Sequence, residues 1–516
     1  MHDSPTGGGY RGSNRERSSS KVMDDPNAAA LFHKPFVSRK RRRTLIGVSL
    51  LIGIVAVVAV AVVLFLPKSD NSPNESIIIN DDSGDDEDST GNGNSNNVPA
   101  AGPAPTISPQ PTSEEDMIRQ TLVDLLQEES PLKKDWEPTP QALDWLVNFV
   151  LLTPGLEDPS ILLQKTALVT LYTSLGGYSW RDKTNWLNLD VGHCNWFGVF
   201  CSDLGEVIAL NLENNLVKGQ LTREIGLLTK LTSIELFENK ISGSLPTTLS
   251  MLTDLQVLAL NKNQLSGNLP SALSSSLQIL DLDFNQLGGI LPNDMFVDLV
   301  QLQRIRIGGN QFVGRLPPSI GRMTQLTSLI LHDNDLTGNL ENLNLEALTS
   351  LQFLWASNNQ LTGSLPEFLG EMTALKWIML ENNAQFGGTL PAVLSNLVRL
   401  QNFHVYSTLL EGTLPPSYSN WRSVESIILS DNSLIGSVPE SYAALTALQV
   451  VNVSQNALSG NIPSQLGAWR ALISMDVSFT ELSGTIPGRF CDRDPVPMLI
   501  ADCKGEVECN CCAECL

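Results

Sequence analysis

The chain has 516 residues and a formal net charge of −22 at pH 7. That charge excludes nucleic acid or an anionic surface as the main partner. The length leaves room for several domains, although a chain of stacked repeats uses length differently from a globule.

The charge is uneven: residues 1–44 hold ten Lys/Arg against four Asp/Glu, net +6, so the remainder is net −28. Rich in Gly, Ser, Asn and Arg, residues 1–44 read as a disordered basic tail. The run Ser38-Arg39-Lys40-Arg41-Arg42-Arg43 has the look of a nuclear localisation patch, but the next segment decides otherwise. Residues 45–66 are 22 positions without a charge, and only Ser49 is polar. At about 1.5 Å per residue they form a helix that crosses a hydrocarbon core of about 30 Å. Basic residues precede this segment and only Lys68 follows closely, so the positive-inside rule predicts a cytoplasmic N-terminus and an external C-terminus. A cleaved signal peptide is the rival reading. The long lead, and an apolar run exceeding an h-region of about 7–15 residues, favour a retained signal anchor.

Residues 67–113 read as a disordered, acidic, Pro/Gly/Asn-rich linker. The acidic run 81–88 lacks the fixed Gly and Glu spacing of a calcium loop, which leaves it a spacer. Residues 114–175 carry helical periodicity. Met117, Leu122, Leu125 and Leu126 fit one helix face. Ala142, Leu143, Leu146 and Val147 fit another, after the breaker Pro138-Thr139-Pro140, and a third run covers 162–175.

Residues 176–206 hold Gly176, Trp180 and Trp186, then Cys194-Asn195-Trp196-Phe197-Gly198-Val199-Phe200-Cys201. This is similar to the Trp-Cys-x-Trp-x-Gly-Val-x-Cys cap of plant receptor ectodomains. The resemblance implies that Trp180, Trp186 and Trp196 cover the open end of a solenoid core and that Cys194 bonds Cys201.

Residues 207–489 repeat one sentence twelve times: apolar, two variable, apolar, one variable, apolar, two variable, Asn, then x-Leu-x-Gly-x-Leu-Pro. A clear copy has Leu231, Ile234, Leu236, Asn239, Ile241, Gly243, Leu245 and Pro246. The Asn column falls at 215, 239, 263, 285, 310, 334, 359, 383, 432 and 456, with Thr408 and Thr480 completing it, at steps of 22 to 25 residues. That period and wording are those of a leucine-rich repeat. The Leu-x-Leu core predicts a strand with alternate side chains inward, and the Asn amide can pair backbone groups where the chain turns away. The Gly allows positive φ or close approach, and Pro ends the second extended piece.

The Gly-x-Leu/Ile-Pro half resembles the plant-type subclass found in receptor kinases, receptor-like proteins and polygalacturonase inhibitors. Thr222 and Glu341 depart from it by replacing Pro, and one residue is inserted before Gly388. Pro140-Gln141-Ala142-Leu143-Asp144-Trp145-Leu146, with 168–180, resembles the leader of algal, diatom-like leucine-rich-repeat proteins. The fold implied is an α/β solenoid, a right-handed superhelix of about twelve coils, capped by disulfides. Beyond it, residues 490–516 hold Cys491, Cys503, Cys509, Cys511, Cys512 and Cys515. They read as a disulfide-locked cap whose six cysteines allow about 15 pairings. A zinc site is the weaker reading, because the Cys-x2-Cys pairs share Cys512.

No phosphate loop, His-Glu-x-x-His or nucleophile elbow occurs, and no kinase follows the repeats. The chain therefore reads as a non-enzyme needing no cofactor and no metal. Acid pairs such as Asp281/Asp283 read as solvated. The informative positions are the outward ones on the strands, expected to line a concave binding face: Ile330, His332, Phe353, Trp355, Trp377, Met379, His404 and Tyr406. The same columns are mostly polar elsewhere, so these side chains predict one contiguous, exposed aromatic patch. Sequons stand at Asn74 and Asn452.

The receptor resemblance implies a single-pass protein of the plasma membrane or another secretory membrane, with its repeats outside. It would bind an extracellular peptide, glycan or protein and signal through a membrane co-receptor. An inhibitor of foreign hydrolases, or an adhesion protein without signalling, is the alternative.

Overall fold

The structure, a computed structural model, describes residues 114–132, 136–152, 157–503 and 507–516. The basic tail, the apolar segment 45–66, the acidic linker and Asn74 lie outside the described residues. Among the described residues, no helix is long and apolar enough to cross a membrane.

Three helices come first: α1 (Glu114–Glu129), α2 (Pro140–Leu152) and α3 (Pro159–Ser174). Asp158 caps α3 by accepting the Ser160 N–H at 2.8 Å, with Pro159 at the first helical position, where its missing N–H costs nothing. The middle of α3, Leu162 to Tyr172, is buried throughout. It covers the start of the repeat stack, and Gln164 Oε1 accepts the Val207 N–H at 2.6 Å, satisfying a strand amide. Beside it the rings of Tyr172, Trp180, Trp186 and Trp196 pack at centroid distances of 4.9–5.5 Å, shielding the leucine core from water.

The repeats build two sheets. The first has 15 strands. Val199–Cys201 pairs antiparallel to Val207–Asn211, and from there every strand runs parallel to the next. The ladder continues past the last repeat through Met498–Ala501 and Glu514–Cys515. The second sheet has 13 short strands on the Gly-x-Leu-Pro half. Pairing in the first sheet keeps strict register: Phe353 faces Trp377, Leu354 faces Ile378, and Trp355 faces Met379. Inward residues such as Leu354, Leu375, Ile378 and Leu380 have no exposed surface. They stack on their counterparts in adjacent coils, so each coil is stable only through its neighbours.

The Asn column closes the turn. Asn383 Nδ2 donates to Ala356 O on the preceding coil (3.0 Å) and to Leu380 O on its own (2.8 Å), while its Oδ1 accepts the Leu361 N–H at 2.9 Å. The residue just before each Asn adopts left-handed backbone even when it is not glycine: φ is 57° at Glu238, 53° at Asp333 and 58° at Asn382. That conformation costs about 1–2 kcal/mol per residue, offset by the bonds the turned-in amide makes. The following glycines also need positive φ. At Gly363 (φ 85°) an added Cβ would lie 2.8 Å from Asn339 Cβ on the coil before.

The two Thr positions have different causes. The inserted residue, Ala384, moves the chain on by one, so Phe386 N–H bonds Asn383 O at 2.9 Å instead of reaching the next coil. Thr408 turns its hydroxyl forward to Asn432 Oδ1 at 2.7 Å. Thr480 lies against the C-terminal cap, where Asp502 Oδ2 accepts its N–H at 3.2 Å. All eight cysteines are in disulfides: Cys194–Cys201, Cys491–Cys511, Cys503–Cys515 and Cys509–Cys512.

Candidate ligand-binding face

The side of the first sheet away from the leucine core carries three columns. Phe353 and Trp377 are neighbours in one. Ile330, Trp355, Met379 and His404 follow one another in the second. His332 and Tyr406 stand in the third, two residues further along each coil, together with Ser357 and Glu381. The register therefore brings all eight residues singled out in the sequence onto one face.

Their exposure differs from the sequence expectation. Trp355 and Trp377 are 8% and 9% exposed, Ile330 is 8% and His332 is 3%. Phe353, Met379, His404 and Tyr406 are half-buried. The cause is sideways packing. Coils about 4.8 Å apart bring rings from successive strands into contact. Trp377 meets Phe353 edge-on at 5.2 Å, and His332 lies 4.0 Å from Trp355. Gly308 makes room for the imidazole, since a Cβ there would sit 2.6 Å from His332 Nε2. Lys376 Nζ lies 5.8 Å from the Phe353 ring centroid, a cation over an aromatic face.

Polar groups thread between the rings. His332 Nδ1 pairs with Asp333 Oδ2 at 2.8 Å, Trp355 Nε1 donates to Ser357 Oγ at 2.6 Å, and His404 Nε2 contacts Ser426 Oγ at 2.8 Å. Glu381 is 1% exposed. Burial pushes its carboxyl up to about 7, and the Asp333 charge adds to the rise against hydrogen bonds from its own amide and Ser357. Tyr406 is pushed up to about 12, by burial first and then by Glu381. Four enclosed polar atoms on this face have no hydrogen-bond partner: Asn261 Oδ1 and Arg306 Nε in earlier coils, and Trp377 Nε1 and Glu381 Oε2 among the residues singled out here.

The neighbouring acid pair also corrects the sequence reading. Asp281 and Asp283 are buried, at 2% and 7% exposure. Asp283 accepts the Gly308 N–H at 2.6 Å, and Arg306 Nη1 lies 3.8 Å from Asp281 Oδ2. Burial raises both carboxyls, and the charge of Asp281 raises Asp283 further. Asn452 lies further along this face, half-buried, its Oδ1 accepting the Ser454 N–H and hydroxyl at 2.9 and 2.7 Å.

Sequence reading found the bulky members of the face and missed Ser357, Asp333 and Glu381. The signal was available: Glu381 occupies the column that holds serine at 430, 454 and 478, and a carboxylate there stands out.

Residues 276–296 and 350–372 match the Leucine Rich Repeat family model. No curated protein matches the chain. Among solved structures, it is similar to the Arabidopsis receptor kinase HAESA in complex with the peptide hormone IDA and the co-receptor SERK1, at 27% identity and TM-score 0.54, covering 67% of this chain and 62% of that one. A TDR receptor matches at 28% identity and TM-score 0.54, over 59% of this chain and 56% of that one. The plant peptide hormone receptor RGFR1 in complex with RGF2 matches at 25% identity and TM-score 0.51, over 56% and 50%. The chain thus carries leucine-rich repeats in the fold of plant receptor ectodomains, and it spans 50–62% of the length of these three.

Proposed function

We propose that this chain is a recognition protein that binds a peptide or protein on the outer face of its first sheet, between the strands Ser328–Ile330 and Asn402–His404. The observation that carries the reading is the continuous aromatic and apolar surface of that face, set with polar atoms that the protein leaves unpaired. Similarity to ectodomains solved with peptide hormones supports a peptide or protein ligand over a glycan. We assign the chain no catalytic step.

The finer reading places the apolar segment 45–66 in a secretory-pathway membrane, with the N-terminus cytoplasmic. Signalling then passes through a separate membrane partner, a role for which a SERK1-like co-receptor is the model. Protease treatment of intact cells should digest a C-terminal tag and spare an N-terminal one; the reverse pattern overturns the topology. For the face itself, random peptides displayed on phage are panned against the full chain on cells. Selected peptides should lose at least tenfold in binding on Trp377→Ala or Met379→Ala and keep binding on Asn211→Ala. Equal binding to all of these variants rejects the face as the site.

A further inference from the structure

We propose that the face receives a cationic group of its ligand, a lysine, an arginine or a free amine, against the carboxylate of Glu381, while the Trp377 indole N–H donates to a ligand carbonyl. This rests on the recognition reading above and specifies its chemistry.

The case begins with a contrast between two acids on one sheet face. The protein sets a cation of its own beside Asp281 and Asp283, the Arg306 guanidinium 3.8 Å from Asp281, and the Gly308 N–H donates to Asp283 at 2.6 Å, although burial still raises both carboxyls. It does not do so for Glu381. That carboxyl is held by its own amide and the Ser357 hydroxyl, and Ser357 Oγ is in turn fixed by Trp355 Nε1 at 2.6 Å. Oε2 is left enclosed and unpaired. The nearest acidic neighbour, Asp333, is of like charge and makes ionisation harder. A buried carboxylate is tolerated when a cation neutralises it and is otherwise held protonated. A ligand cation would supply what Arg306 supplies three coils earlier.

The surroundings suit such a group. Trp355 and Tyr406 stand in the coils on either side of Glu381, and aromatic faces attract Lys, Arg and ammonium groups. Glu381 is itself 1% exposed, and Tyr406, half-buried in the next coil, lies close enough to feel its charge; the proposal requires the Tyr406 ring to swing aside. The second observation is independent of the acids. Trp377 is nine-tenths buried and its Nε1 has no acceptor. Four residues separate Trp377 from Glu381, about 13 Å along an extended chain. One extended peptide segment of about four residues can therefore engage both.

The test uses the full-length chain on cells and the phage-displayed random peptide library, panned at pH 8. Selected peptides should be enriched in Lys or Arg. Replacing that residue by citrulline or norleucine in synthetic copies should weaken binding at least tenfold, as should Glu381→Gln in the protein. Binding to wild type should fall from pH 8 to pH 5 as Glu381 takes up a proton, and binding to Glu381→Gln should not show that part of the fall. Asp333, with its partner His332, and Tyr406 are the other titratable groups near Glu381. All remain in the variant, so the difference between the two profiles belongs to Glu381. Peptides that depend on Trp377 but carry no cation, or a cation dependence that survives Glu381→Gln, would overturn this proposal and leave the recognition reading standing. If no peptide is enriched over a Trp377→Ala/Met379→Ala chain, both fall.

Discussion

In a single coil, residues 375–383, the inner side and the outer residues Trp377 and Glu381 are almost equally hidden from water yet differ in kind. On the inner side Leu375, Ile378, Leu380 and Asn383 have no exposed surface, and both polar atoms of the Asn383 amide are paired. On the outer side Trp377 and Glu381 are 9% and 1% exposed, and each has a polar atom without a partner. Burial does not separate the side of the coil that holds the fold from the side proposed to meet a ligand. Hydrogen-bond satisfaction does, because folded proteins leave few buried polar groups unpaired and each exception calls for a reason.

The contrast is sharpest at Asn383. Asn383→Ala strips four bonds and strands the Leu361 N–H and the Ala356 and Leu380 carbonyls in the core, so we expect a loss of about 3–5 kcal/mol in urea unfolding. A loss below about 1 kcal/mol would mean that the amide column does not hold the coils together.

Glu381 should behave in the opposite sense. Burial raises its carboxyl in the folded state to about 7, from the ordinary value of 4.5. Between those values the folded state binds the extra proton, so wild type loses stability as pH rises from 4.5 to 7 and levels off above. Glu381→Gln does not ionise. It should match wild type at pH 4 and exceed it by about 2–3 kcal/mol at pH 8. A variant less stable than wild type at pH 8 would show the carboxylate to be paired inside the protein.

Trp377→Ala removes a ring that lies on the sheet and not in the core, so the gap opens to solvent. It should cost about 1–2 kcal/mol, less than half the loss from Ile378→Ala in the same strand. Equal losses would make Trp377 a core residue and dissolve the distinction. The smallest effect is expected at Asn211, an outer position whose Nδ2 reaches Glu235 Oε2 at 3.3 Å. Asn211→Ala should stay within about 0.5 kcal/mol by thermal unfolding.

Much of the fold is legible in the sequence, because one period fixes the strand, the turn and the stacking direction together. The asparagine column is an example: a short amide side chain at a fixed offset has few tasks other than pairing turned-away backbone. Less legible is how outer side chains pair across strands. Whether Trp355 is exposed depends on His332, 23 residues earlier and lying flat against it. It depends in turn on Gly308, 24 residues before that, which leaves the imidazole its space. Asp281 and Asp283 read as solvated because their partners, Arg306 and a backbone amide, come from the next coil. Glu381 was hidden in the sequence for another reason: a lone carboxylate among aromatics looks ordinary until its oxygen is found without a donor.

The extra residue at Ala384 also sets how the array comes apart. In a stack of repeats, cooperativity is carried from coil to coil by nearest-neighbour coupling. Where Phe386 N–H turns back to Asn383 O and Thr408 turns forward to Asn432, the side-chain link between two coils is loosened while the strand pairing persists. That junction lies beneath the step from Met379 to His404. We expect the solenoid to open first at that junction, and a ligand lying across the step to fasten the two sides into one cooperative unit.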